Sequence, residues 1–132
     1  MTQREMVTFW VEKSQDELKS ANIMYNAGMY LYAGFMCHQA IEKILKAYYI
    51  HVKDERHPQI HNLKELMQQT DIYNAANDKQ KETITRLNPL YIKARYEDYK
   101  KKTSELLTKS YCGPLLAETG ELHKWIAELI KQ

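Results

Sequence analysis

A chain of 132 residues and 15.7 kDa, 44% hydrophobic and 27% charged, has the size and balance of one globular domain, expected here over residues 1–132. Only four Gly and three Pro argue against a sandwich or barrel, which needs a turn roughly every ten residues. Nineteen basic against seventeen acidic side chains give +2, short of the bias of a dedicated nucleic-acid binder.

The first predicted helix runs from Gln3 to Asn26. Val7, Val11, Ser14, Leu18, Ala21 and Tyr25 recur at steps of three and four along one face. Gly28 supplies a stop, so the next segment, Tyr30 to Val52, is expected to return as the second arm of an antiparallel hairpin. Its broad apolar stripe includes Ala33, Cys37, Ile41, Ile44 and Tyr48, with His38 on the border. Gln39, Glu42, Lys43 and Lys46 are expected on the opposite face. A polar loop, 53–59, leads to a short helix over His61–Gln69, and residues 70–77 read as loop. A fourth helix is expected from Asp78, as N-cap, through Ile92. Asn88-Pro89 marks either a kink or a fresh start. Lys100, Lys101 and Lys102 precede a linker with Leu106 and Leu107, and a last helix runs to Ile130 from an uncertain start near Gly113-Pro114. The sum is an all-α, up-and-down four-helix bundle with an additional short helix.

No stretch is long and apolar enough to span a bilayer, and no signal core follows the N-terminus, so a cytoplasmic protein is expected. Cys37 and Cys112 are expected to be reduced and buried. The five His form no HExxH and no tight cluster with Cys, so neither a metal nor another cofactor is indicated.

Two stretches carry candidate chemistry. In Tyr91–Tyr99, a helix would put Tyr91, Arg95 and Asp98 or Tyr99 on one side. One reading is an ion pair of Arg95 with Asp98, flanked by packing tyrosines. The other is an anion contact: Arg95 takes a phosphate, Asp98 orients it, Tyr96 and Tyr99 stack or donate hydroxyls, and Lys93 and Lys102 form a basic rim. The second stretch is Arg56–His61, where Arg56 and His61 offer the transition-state cation and the general acid–base of a metal-independent ribonuclease. The plainer role for His61 is to cap or pack the entry to the short helix. Tyrosine is also abundant, ten residues against two Phe and two Trp. Its amphipathic ring suits interfaces and pocket walls.

Four segments then carry a family resemblance: Phe9-Trp10 through Asp16, Leu18 and Ala21; Tyr32-Ala33 through Cys37-His38-Gln39-Ala40-Ile41-Glu42-Lys43-Ile44-Leu45-Lys46-Ala47; His61–Leu66; and Tyr91–Asp98. Together the chain resembles the HEPN family, small prokaryotic helical domains often encoded beside minimal nucleotidyltransferases. The resemblance implies a helical bundle, a homodimer, and a role as partner of such an enzyme in a two-component, toxin–antitoxin-like system, binding a nucleotide, an RNA or the partner itself. It also implies a possible hydroxyl acceptor for nucleotidyl transfer, Tyr96 or Tyr99. Many members are ribonucleases with an Arg, four to six residues, then a His. After Arg95 those positions hold Lys100, Lys101 and Lys102, so the motif is incomplete where the family carries it, and Arg56 and His61 match the spacing elsewhere.

Overall fold

Thr2 starts the first helix by a reciprocal cap. Its hydroxyl accepts from the Glu5 amide, and the Glu5 carboxylate accepts from the Thr2 amide. The computed structural model describes residues 1–91 and 97–131, the side chains of 97–100 excepted. α1 spans Gln3–Asn26 and buries Val7, Ser14 and Ala21, one residue every second turn. Gly28, at φ +78°, makes the turn that the sequence marked, and α2, Tyr30–Lys53, runs back antiparallel.

α2 is the axis of the molecule. It packs along α1 on one side and α7 (Lys109–Ile130) on another, and it also meets α3 (Leu63–Gln68), α5 (Asp78–Leu87) and α6 (Glu97–Leu106). Ala33, Cys37, Ala40, Ile41, Ile44 and Ala47 are fully enclosed. Small residues let the neighbouring helices approach closely. Gly34 is the sharpest case, since a Cβ there would stand 2.8 Å from Leu107 Cδ1. Leu107 is itself buried, so Gly34→Ala is expected to cost about 1–3 kcal/mol through overpacking, read from the urea midpoint. An unchanged midpoint would show that Leu107 yields freely.

Several boundaries differ from the sequence expectation. Residues 70–77 are not all loop, because Ile72–Ala75 forms a one-turn helix, α4, that buries Ile72. The α5 cap is Asn77, one residue before Asp78: its Oδ1 accepts from the Gln80 amide, and Gln80 Oε1 accepts from the Asn77 amide. Pro89 sits in a single 3₁₀ turn, Asn88–Leu90, which realises the interruption without a new long helix. The expected linker after Lys102 is helical to Leu106, and Thr108 rather than Gly113-Pro114 starts α7, with Pro114 inside its second turn. Described residues are helical apart from short connections and include no strand. The all-α bundle is therefore the observed fold.

Polar cross-links tie the helices. Lys43 pairs with Glu17 at 2.8 Å between α2 and α1, and Arg86 pairs with Glu118 between α5 and α7. His123 on α7 donates through Nε2 to the Ser14 hydroxyl at 2.8 Å, and that hydroxyl donates onward to the Val11 carbonyl. Cys37 and Cys112 are free and buried, and burial pushes the Cys37 thiol up to about 12. Among the described residues no helix is long and apolar enough to cross a membrane.

Candidate functional site

The second helix carries an unexpected feature. Glu42 and Lys46, one turn apart on the face expected to meet solvent, are 2% and 5% exposed. The correction has a physical reason. A 3.6-residue period locates the apolar stripe of a helix but not what covers its flank. Trp10 from α1 and the loop after α2 close over this flank, and the two charges survive burial by pairing at 3.0 Å.

Glu42 uses both oxygens. Oε2 accepts from Lys46 Nζ, and Oε1 accepts from His61 Nδ1 at 2.9 Å. Burial pushes the Glu42 carboxyl up, but the hydrogen bonds from His61 and Lys46 outweigh it and hold the group below its ordinary value, ionised. Fixing the proton on Nδ1 leaves the His61 Nε2 as the ring's other nitrogen, on a side chain that is 56% exposed.

The entry to α3 places His61. The next residue, Asn62, is the N-cap, accepting from the Glu65 amide, so the capping role considered for His61 belongs to its neighbour. Asn88 reaches across from the 3₁₀ turn. Its Oδ1 accepts from the Leu63 amide at 2.8 Å, and its Nδ2 donates to Asn62 at 3.1 Å. This clamp brings Tyr91, three residues after Asn88, beside His61. The two rings lie near-parallel, 14° apart, with centroids separated by 6.0 Å. His38 supports the same corner from beneath. It is fully buried, its Nε2 donates to the His61 carbonyl at 3.0 Å, and its ring lies 5.5 Å from that of Tyr91. Burial pushes His38 down to about 4, so it is neutral at neutral pH and serves as a support, as expected for a histidine bordering the apolar stripe.

The candidates from sequence fare unequally. His61 is fixed by its hydrogen bond to Glu42 and its ring contact with Tyr91. Arg56 is exposed in the loop and joins His61 by no hydrogen bond, ion pair or ring contact among the described residues. Lys93, Arg95 and Tyr96 lie outside the described residues. Asp98 and Tyr99 fall within α6, but their side chains also lie outside the description. Lys102 is exposed on α6. Sequence reasoning missed Glu42, Lys46 and the pairing of Tyr91 with His61. A signal for the first two was present: His38, Glu42 and Lys46 repeat at steps of four, beside the apolar stripe. No group of three potential metal ligands gathers among the described residues.

Residues 7–130 match the model of a family described as "HEPN domain". No curated protein sequence is significantly similar. The fold matches the crystal structure of TT1696 from Thermus thermophilus, with a TM-score of 0.78 over 93% of this chain and 97% of that one, at 20% identity.

Proposed function

The chain belongs to the HEPN domain family, and from that premise we propose that it binds a nucleotide or a short single-stranded RNA at the corner formed by His61 and Tyr91. One observation carries this reading: an exposed imidazole, its tautomer set by a buried carboxylate, lies near-parallel to a tyrosine ring. Such a pair offers an Nε2 acceptor for a ribose hydroxyl or a base N–H and an aromatic face for a base. Arg95, four residues beyond Tyr91, is proposed as the main phosphate contact, with Asp98 orienting it. Lys93, Lys102, Tyr96 and Tyr99 are proposed as its surround. As partner we propose a minimal nucleotidyltransferase in a two-component, toxin–antitoxin-like system, with the protein itself a cytoplasmic homodimer; membership of the family supports this.

Fluorescence anisotropy with labelled RNA oligomers, and calorimetry with mononucleotides, test the binding. Tyr91→Ala and Arg95→Ala are each expected to weaken it about tenfold, the worth of one stacked base or one charge-assisted contact. Unchanged affinity in both variants would end the proposal. Light scattering tests the dimer, and co-purification with a co-expressed minimal nucleotidyltransferase tests the partner.

A second reading has its own support. Glu42 on Nδ1 leaves Nε2 in the position that a general base or acid uses, so His61 is the proposed proton-transfer group of a metal-independent ribonuclease. RNA cleavage in EDTA that disappears in His61→Ala would favour it. Cleavage that survives in His61→Ala and Arg95→Ala belongs to a contaminant.

A further inference from the structure

Lys46 also forms the floor of an open cleft of about 740 Å³, lined by Met6, Trp10, Ile50, Arg56, His57 and Gln59 among others. The volume lies within the range that holds a small organic molecule. Met6, Trp10 and Ile50 give it an apolar wall, and Trp10 and His57 meet edge to face at a 4.8 Å centroid distance. Its polar lining combines the cations of Lys46 and Arg56 with the carboxylates of Asp54 and Glu55. Lys46 Nζ has three N–H bonds and, among the described residues, one hydrogen bond, to Glu42. The same ammonium lies 5.8 Å from the centroid of the Trp10 ring. Arg56 at the rim pairs with no carboxylate among the described residues.

We propose that this cleft binds a small organic monocarboxylate, its carboxylate on Lys46 and its apolar body against Trp10 and Met6. The acceptor is favoured because Lys46, a residue more than nine-tenths buried, holds N–H bonds that water reaches poorly. A single negative charge fits better than two. Glu42 already neutralises much of Lys46, and Asp54 and Glu55 stand on the cleft wall, Glu55 held by the Tyr49 hydroxyl at 2.6 Å. The apolar body follows from the walls, which leave a bare ion such as acetate without contacts.

The probe is 1-naphthoate, titrated into the full chain while the indole N–H resonances of Trp10 and Trp125 are followed by NMR. A saturable shift at Trp10, with a Kd on the order of 1 mM for a ligand of this size, is expected, and Trp125 should stay still. Naphthalenemethanol and acetate should each bind at least about tenfold more weakly, because each lacks one half of the recognition. Lys46→Met alone would strand Glu42, so the informative variant is Lys46→Met/Glu42→Gln, which removes both buried charges together and should weaken naphthoate about tenfold. Arg56→Ala, at the exposed rim, should weaken it less and leaves the core intact. No saturable shift, shifts confined to Trp125, or equal affinity in the double variant would each overturn the site. Tighter binding of 1-naphthyl phosphate would overturn the assignment of a monocarboxylate.

Discussion

Glu42→Ala is expected to destabilise the protein by about 3–5 kcal/mol, a fall in Tm on the order of 10 °C. The carboxylate is 2% exposed and occupied on both oxygens, by Lys46 and His61. Its loss leaves the Lys46 ammonium inside the fold with no other ion pair among the described residues, and an unpaired buried charge is far costlier than a missing contact. Urea denaturation measures the effect directly. Two further variants separate the cause from simple loss of volume. Glu42→Gln keeps shape and an acceptor for Lys46 and should cost less. Lys46→Met/Glu42→Gln removes the stranded charge and should recover most of the loss. A cost below about 1 kcal/mol for Glu42→Ala would mean that Lys46 escapes to solvent.

Mild acid should weaken the fold well before carboxylates protonate. His38 is fully buried, and burial pushes its ring down to about 4. Below about 6.5 the unfolded chain takes up a proton that the folded ring refuses, so each step down in pH favours unfolding. The stabilisation is complete above about 6.5, declines through the interval, and is gone below about 4, for a total on the order of 3 kcal/mol. Burial also lowers His57 and His123, which adds to the trend in the same direction. Glu42, held below its ordinary value, contributes its loss only at still lower pH. Urea midpoints at pH 7.5, 6.0 and 5.0 should therefore fall in sequence, and His38→Gln, which keeps a donor for the His61 carbonyl, should flatten the curve. Equal midpoints at pH 7.5 and 5.0 would contradict the account.

The parts of this fold written in local patterning were legible in the sequence. α1 and α2 end where their periodicity ends, and Gly28 marks the turn between them. α4 was missed because a single turn of four residues is too short to show a period, and α6 because its sequence is mostly polar and contacts elsewhere in the chain decide whether it is helical. The site divides in the same way. His61 stood out by its own chemistry, but the neighbour that pointed to it, Arg56, lies apart. Its actual partner, Glu42, is nineteen residues earlier on a face that looked solvent-bound. Tyr91 reached His61 through the Asn62–Asn88 clamp, a side-chain contact between distant segments that no periodicity encodes. The tyrosine excess is chiefly packing: Tyr25, Tyr30, Tyr48, Tyr73 and Tyr111 all border the main core.

The placement of Glu42 between two surfaces has a consequence in linkage. One carboxylate answers to Lys46 in the cleft and to His61 at the exposed corner, so an occupant that draws Lys46 toward itself changes the pull felt by His61. Thermodynamic reciprocity then fixes the reverse effect: whatever factor a ligand in the cleft imposes on affinity at the corner, a ligand at the corner imposes on the cleft. With both proposed sites occupied, their coupling would run through the Glu42 carboxylate that Lys46 and His61 share.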